Sequence, residues 1–227
     1  MPSSVDICNE ALSHLGDSAT VSSLIPPEGS AQAENCARFY SSSLAALLEL
    51  HAWSFATGRA VLAAVTNPSS TWAYAYAQPL NTLNILAVLD PLAADDYSAS
   101  ARSKINVQTS NFDLQTSYFG GAYTPQDFAT ESDANGNIII LTNQVNAVLR
   151  YTRLVTDTTK FSPLFSVTLG WFIAANLAGP VLKGNSGRDA ATSCLKQAFF
   201  WLAKAVSSDA SQRQSKPQQQ VGWLNAR

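Results

Sequence analysis

Few side chains in this sequence stand at the spacings that enzymes use. The two histidines, His14 and His51, each fall near the end of a predicted helix and have no partner at the spacing of a catalytic or zinc motif. A helix C-terminus favours an imidazolium, so both histidines are predicted to be structural. The sequence also contains no phosphate-binding loop and no nucleophile-turn motif. We therefore predict that the protein is not an enzyme and uses no cofactor.

Two acidic stretches offer oxygen ligands. Asp133 opens the run Asp-Ala-Asn-Gly-Asn, which is typical of a calcium loop, but Gln144 stands where such a loop has glutamate. The pair Asn135-Gly136 instead predicts a tight turn before a strand. Asp90 with Asp95-Asp96 lies in a polar stretch and is predicted to be a solvated face rather than an acid pair. No metal site is predicted.

The three cysteines and the charge content limit the class of protein. Cys8, Cys36 and Cys194 are far apart, and each falls among apolar residues of a predicted helix, so they are predicted to be buried and unpaired. Charged residues make up 13% of the 227 residues, against roughly 25% in an average domain. So small a share of charged residues suits a surface that other subunits cover, and it suits a secreted or low-charge monomer at least as well. The net charge of −2 argues against an electrostatic grip on DNA.

Helical periodicity occupies both ends of the chain. Ser3 to Asp6 predicts a capping box for a first helix that stops at Gly16, and a second helix is predicted from about Ser30 to Leu50. Ser162 followed by Pro163 predicts the start of a third helix. A second capping box at 186–189 predicts the start of the last helix, whose predicted buried face includes Cys194, Leu195, Ala198 and Trp201.

The section between the helices has strand periodicity. Arg59 to Val65 is predicted as one strand, and Trp72, Tyr74 and Tyr76 alternate with alanines, which predicts three aromatic rings on one face. The other predicted strands cover residues 83–89, 104–108, 112–117, 138–142 and 147–155. The last two are predicted to pair with each other across Asn143-Gln144.

These patterns predict an α+β fold. The N- and C-terminal helices form one helical bundle domain, residues 1–58 and 156–210, into which an antiparallel β sandwich or barrel section, residues 59–155, is inserted. Residues 211–227 are predicted to be an extended C-terminal tail. Its glutamine-rich beginning has too few apolar groups to order itself.

The end of the tail is apolar again. We expect Val221, Trp223, Leu224 and Arg227 to bind a neighbouring subunit or another partner, because a bulky apolar pair on a flexible tether is costly to leave in water. The alternative is that Trp223 and Leu224 fold back onto the chain's own bundle.

The order of several short motifs resembles the tail tubular A family of head-to-tail adaptors from tailed phages. The motifs are Leu15-Gly16, then Trp53-Ser54-Phe55-Ala56 with Arg59, then the aromatic strand Trp72, Tyr74 and Tyr76, then Tyr151, and finally Trp223-Leu224. The stretch from Asp90 to Asn135 does not share this resemblance.

The resemblance implies a structural virion protein without a cofactor. Adaptors of this kind form a ring, typically of twelve copies, that joins the portal protein to the tail nozzle protein. DNA leaves through the central channel without sequence-specific binding. Such a protein is found in the virion tail connector, and in the host cytoplasm during assembly.

Two other classes stay open at this point. Low charge and the Trp72, Tyr74 and Tyr76 face are also typical of a secreted carbohydrate-binding or carbohydrate-active β protein. Residues 161–182 carry no ionisable side chain and are long enough for a membrane-associated protein. Prolines and glycines at both ends of that segment favour a buried core helix, so no membrane contact is predicted.

Overall fold

The computed structural model describes residues 2–91 and 126–212 of the chain. The predicted strands at 104–108 and 112–117, the pair Asp95-Asp96 and the tail residues Val221, Trp223, Leu224 and Arg227 lie outside these described residues. Within them the protein is mixed α+β, with four α-helices and two antiparallel sheets that are not closed into a barrel.

The helices are α1 (Ser4–His14), α2 (Ala31–Leu50), α3 (Pro163–Leu182) and α4 (Gly184–Ser211), with a short 3-10 helix at Thr158–Lys160. The strands are β1 (Thr57–Val61), β2 (Ala64–Val65), β3 (Tyr74–Ala77), β4 (Thr82–Leu89), β5 (Phe128–Ser132), β6 (Ile138–Thr142) and β7 (Val148–Arg153).

Local capping chemistry fixes three helix starts. The Ser3 side chain accepts a hydrogen bond from the Asp6 amide at 3.1 Å, and the Ser3 amide donates to Asp6 Oδ2 at 2.8 Å, which confirms the predicted capping box. Ser30 and Ser162 cap α2 and α3 in the same way. Gly16 has φ +76°, the left-handed conformation that its predicted stop position requires.

The start of α4 differs from the prediction. The helix begins at Gly184, two residues before the predicted capping box, because Lys183 and Gly184 both adopt positive φ and turn the chain straight out of α3. Gly187 is therefore inside the helix and faces α3. A Cβ at Gly187 would stand 2.9 Å from the Ala178 carbonyl oxygen, so only glycine allows α3 and α4 to approach this closely.

The described residues group into two compact units. The helical unit contains residues 2–60, 79–86 and 149–210, and the β unit contains residues 61–78, 87–91 and 126–148. The sequence-based division treated 59–155 as one insert, whereas here residues 79–86 and 149–155 group with the helices. The apolar core of the helical unit is built around α3, which packs against both α1 and α2.

Strand pairing departs from the prediction at two places. The predicted strand Arg59–Val65 is divided between two sheets, because β1 belongs to a sheet of order β1-β7-β4 and β2 to a sheet of order β2-β3-β6-β5. The predicted pairing of residues 138–142 with residues 147–155 is wrong. β6 pairs instead with β3 and β5, and β7 lies between β1 and β4.

The hairpin of β5 and β6 agrees with the turn that Asn135-Gly136 predicts. Ser132 pairs with Ile138, and the Asp133 amide donates to the Asn137 carbonyl at 2.8 Å. Gly136 has φ +82° at the turn, which explains why this position is glycine.

Candidate interaction surface on the helical unit

Some of the residues that carry the sequence resemblance belong to the core. Trp53 and Phe55 belong to an aromatic cluster with Phe161 and Phe165, in which ring centroids lie 4.8 to 6.1 Å apart. Trp53 is fully buried, and its indole Nε1 donates to the Leu47 carbonyl at 3.0 Å. The aromatic cluster thus holds the end of α2 against the start of α3.

The remaining signature residues differ in exposure. Leu15 is buried at the end of α1, whereas Arg59 of β1 is exposed and Tyr151 of β7 is half-buried. A Cβ at Gly58 would stand 3.9 Å from the Tyr151 ring and 3.7 Å from the Arg153 side chain, so this glycine leaves room for both. These contacts are structural, and nothing in them offers a reactive group.

One constellation contains the residue types of a hydrolase triad. Asp209 of α4 accepts hydrogen bonds from the Ser54 hydroxyl at 2.5 Å and from the Ser54 amide at 3.0 Å, and His51 Nε2 lies 3.1 Å from its other oxygen. Catalysis by a triad requires histidine between serine and the acid. Here the carboxylate stands between the two other groups, so the arrangement fastens α4 to the turn after α2 and does not activate Ser54.

His14 is also packed as a structural residue. Its ring stacks on Trp171 of α3 with centroids 3.7 Å apart and planes within 3°, and its Nε2 lies 3.8 Å from a Glu10 carboxylate oxygen. Burial lowers the pKa of His14 and raises the pKa of Glu10. Both shifts favour the neutral forms, which suits a packing contact between α1 and α3.

All three cysteines are buried and free, as predicted. The fold also brings together two cysteines that lie far apart in the sequence, Cys8 and Cys36. A hydrogen bond between them, together with burial, raises the pKa of the Cys8 thiol. A thiol whose pKa is raised stays protonated and is a poor nucleophile. The same hydrogen bond lowers the pKa of Cys36, whose side chain is fully buried. Burial, which both cysteines share, places them as small side chains in the core between α1 and α2.

The predicted aromatic platform of the β unit is only partly formed. Tyr74 and Tyr76 share one face of β3, with ring centroids 6.3 Å apart, but Tyr76 is buried and its hydroxyl donates to the Gln144 carbonyl at 2.9 Å. Trp72 lies before the strand and packs with Ala75 on the opposite side. The prediction of three rings on one face is wrong, because β3 begins only at Tyr74 and strand alternation does not extend back to Trp72.

The Asp133 loop is built as a turn. Its carboxylate accepts from the Asn135 and Asn137 amides, both at 2.8 Å, and these bonds lower the pKa of Asp133 together with the bond from the Asn137 side chain. The carboxylate oxygens are thus engaged by the chain itself. Within residues 2–91 and 126–212, no group of three His, Cys, Asp or Glu side chains is arranged to hold a metal ion.

Three of the exposed large apolar residues of the helical unit lie on α4. Leu195 is 40% exposed, and Phe199 and Phe200 are each 52% exposed. We call these three residues the apolar ridge. Phe199 contacts Phe172 of α3 edge-on at 5.8 Å, and Lys204 lies 4.2 Å from the centre of the Phe200 ring. The predicted burial of Leu195 is wrong, because α4 covers the core with the side that contains Cys194 and Ala198 and turns the ridge outward.

A groove of about 350 Å³ runs beside the apolar ridge. It is lined by Ser42, Ser43 and Ala46 of α2, by Phe172, Ala175 and Asn176 of α3, and by Leu195 of α4. The Asn176 side-chain amide donates to Ser43 Oγ at 3.0 Å and to the Phe172 carbonyl at 3.2 Å. The groove has no charged lining residue, and the amide nitrogen of its asparagine is satisfied internally, so it suits an apolar occupant.

Comparison with known proteins adds no relative. No protein-family model matches this chain, and no curated protein matches it. The resemblance to phage head-to-tail adaptors therefore rests on the order and spacing of the motifs in the sequence, and the function drawn from it is a proposal.

Helix α3 is the one helix among the described residues that is long and apolar enough to cross a membrane. Half of its most apolar stretch is buried inside the protein, including Phe165, Leu169, Ile173 and Leu177. Contact with α1 and α2 accounts for this apolar composition without a bilayer.

Sequence reasoning missed the apolar ridge and the groove. It assigned Leu195 to the buried face of the last helix and gave no position to Phe199 and Phe200, because helical periodicity by itself does not say which of two adjacent apolar positions turns outward. One signal was present, since Phe199 and Phe200 are consecutive and side chains one residue apart on a helix point about 100° from each other. Two such neighbours do not both face the centre of one core.

Proposed function

We propose that this protein is a structural virion protein, a head-to-tail adaptor whose copies form a ring between a portal protein and a tail nozzle protein. In this proposal twelve copies surround the channel through which DNA leaves, and DNA is not bound by sequence. The protein works in the virion connector after assembly in the host cytoplasm, with no cofactor and no membrane.

The apolar ridge is the observation that best supports this proposal. A protein with 13% charged residues and three large apolar side chains, 40 to 52% exposed, on one helix has a surface suited to contact with other subunits. The ridge lies in the helical unit, which fits a bundle of N- and C-terminal helices that makes the lateral contacts of the ring. The β section, as the insert, and the tail would then meet the axial partners.

The buried chemistry is consistent with a structural role. His51 and Asp209 fasten two helices together, His14 stacks between helices, and the Asp133 carboxylate is used within its own turn. Each of these groups has a packing or hydrogen-bonding task that explains its presence.

Assembly on the portal tests the proposal. Full-length protein is mixed with the purified portal protein of the same virus, and the products are analysed by light scattering and negative-stain microscopy. We expect a ring of adaptor density on one end of the portal. Protein that remains monomeric and never joins the portal would exclude the adaptor function.

A charge placed on the ridge sharpens this test. Phe199→Asp is expected to reduce ring formation on the portal, whereas Gln197→Asp adds the same charge at an exposed position of the same helix and is expected to leave it unchanged. Equal effects of the two variants would show that the ridge is not the contact surface.

A further inference from the structure

The loop between α1 and α2 exposes an isoleucine side chain to solvent. Ile25 is 93% exposed, more than any other large apolar residue of the described chain, and Pro26 and Pro27 beside it are also exposed. We call Ile25-Pro26-Pro27 the knob. Burial of a side chain of this size against a partner would be favourable.

The loop that presents the knob is held from both sides. The Asn9 side chain donates to the Val21 carbonyl at 2.9 Å and accepts from the Val21 amide at 2.7 Å. Val21 and Leu24 are buried and anchor the loop to the core, and Leu24 forms a bridge with Pro27. The knob is therefore presented by an ordered turn and has little conformational freedom to lose on binding.

Glu28 closes the loop on the side of α2. Its carboxylate accepts hydrogen bonds from the Ser22 amide at 2.8 Å, from the Ser22 hydroxyl, and from the hydroxyl of Ser30, the residue that caps α2, at 2.9 Å. These bonds tie both ends of the loop to one side chain.

The knob does not fill the groove of its own subunit. Ser42 and Ala46 lie about 17 and 23 Å along α2 from the first residue of that helix, at a rise of about 1.5 Å per residue, and the knob precedes the helix. The exposure of Ile25 agrees with this separation. One chain thus has an apolar projection at one end of α2 and an apolar groove along the later half of that helix.

The two surfaces suit each other in chemistry and size. Neither the knob nor the lining of the groove contains a charged side chain. A groove of about 350 Å³ has room for about twelve water molecules at roughly 30 Å³ each, or for a branched aliphatic side chain and the proline ring beside it. Complementary patches on different parts of one molecule generate heterologous contacts, which close into rings or continue as filaments.

We propose that Ile25 of one copy inserts into the α2–α3–α4 groove of the next copy, so that the knob and the groove form the lateral contact between subunits. This inference deepens the proposed adaptor function, because it names the two surfaces that would join neighbouring subunits of the ring. It is testable on its own, since it requires only that copies of this chain associate.

Site-directed cross-linking of the full chain tests the contact directly. Ile25→Cys and Ser42→Cys proteins are oxidised separately and as a mixture, and disulfide-linked dimers are read on a non-reducing gel. The three native cysteines are 0 to 4% exposed, so they give little background. We expect a dimer in the mixture and none with either protein alone, because only the mixture supplies a knob cysteine and a groove cysteine.

The other outcomes overturn the proposal in different ways. A dimer from Ile25→Cys alone would indicate that two loops meet symmetrically. A link within one chain that contains both Ser42→Cys and Trp223→Cys would show that the C-terminal tail occupies the groove. Rings on the portal without a cross-link in the mixture would refute the knob contact and leave the adaptor function standing.

The opposite combination of results also distinguishes the knob contact from the adaptor function. A specific cross-link in the mixture, with no ring on the portal, would support the contact and refute the adaptor function. Protein that stays monomeric both alone and with the portal would refute both.

Self-association of a variant with a charge on the knob provides a second test in solution. Ile25→Asp is expected to weaken self-association in sedimentation by about tenfold or more. Leu80→Asp is the control, because Leu80 is 90% exposed and lies outside both surfaces. Circular dichroism should show the same thermal midpoint for both variants. Equal self-association of the two variants would contradict the proposal.

Discussion

The aromatic cluster and the apolar ridge use the same kinds of residue for opposite purposes. Trp53, Phe161 and Phe165 of the cluster are fully buried, whereas Phe199 and Phe200 of the ridge are half exposed. Both groups belong to the helical unit. The difference teaches that the same residue types stabilise the fold where they are buried, as Trp53 does, and form surface available to partners where they are exposed, as Phe199 and Phe200 do.

Removal of the largest side chain of the cluster should have the largest effect. Trp53→Ala is expected to lower the free energy of unfolding by about 3–5 kcal/mol, because it leaves a cavity and removes the indole donor from the Leu47 carbonyl. Urea unfolding followed by circular dichroism measures this change. A loss below about 1 kcal/mol would mean that the cluster is not the stabilising centre that its burial indicates.

Asp209 links α4 to the turn that carries the cluster, so its loss should rank second. Asp209→Ala is expected to lower the free energy of unfolding by about 1–3 kcal/mol, because the Ser54 amide and hydroxyl lose their acceptor. Ser208→Ala, at an exposed position next to it, serves as the control. If the two variants unfold at the same urea concentration, the link contributes nothing measurable.

Substitution of a ridge residue should weaken self-association but hardly change the free energy of unfolding, the opposite of a substitution in the aromatic cluster. Phe199→Ser is expected to change the free energy of unfolding by about 1 kcal/mol or less, since half of the residue is already exposed and the ring contact that it loses, with Phe172, is edge-on. Self-association measured by light scattering at several concentrations should nevertheless become weaker. A variant that unfolds easily but associates normally would reverse the distinction between cluster and ridge.

The smallest effect is expected from the loop that presents Ile25. Hydrogen bonds from the Ser22 side chain and amide, and then from Ser30, lower the pKa of Glu28. Because the folded-state pKa is lowered, the ionised carboxylate stabilises the loop at pH values above the ordinary pKa of a glutamate. This contribution is lost as the pH falls through the folded-state pKa of Glu28. The protection factors of the loop amides, which correct the exchange rates for the intrinsic effect of pH, should therefore fall on acidification.

Glu28→Gln is the matched variant for this prediction. It should show faster exchange at residues 22–28 already at neutral pH, with little further change on acidification and with an unchanged thermal midpoint. Acid-dependent exchange of equal size in the variant would assign the effect to another group.

Most of the caps and turns set by neighbouring residues were predictable from the sequence, with the start of α4 as the exception, and the strand pairings set by distant residues were not. The caps at Ser3 and Ser162 and the turn at Asn135-Gly136 depend on three or four consecutive residues, and the structure has them where the sequence predicts them. The pairing of β6 with β3 joins residues more than 60 positions apart, and no local pattern distinguishes it from pairing with β7.

The apolar ridge could not be predicted from the sequence for a related reason. Exposure of the ridge depends on which side of α4 meets the core, and Gly187 contributes to that orientation by letting the helix approach the Ala178 carbonyl of α3. A glycine early in a helix is an ordinary sequence feature. Its consequence appears only when the neighbouring helix is in place.

The hydrogen bonds of Asp209 also determine how the protein would respond to mechanical load. Any pull on residues beyond the end of α4 reaches Asp209 first, and its carboxylate passes the load to Ser54, next to the fully buried Trp53. A tether attached at this point is therefore linked by hydrogen bonds to a residue that adjoins the buried aromatic cluster.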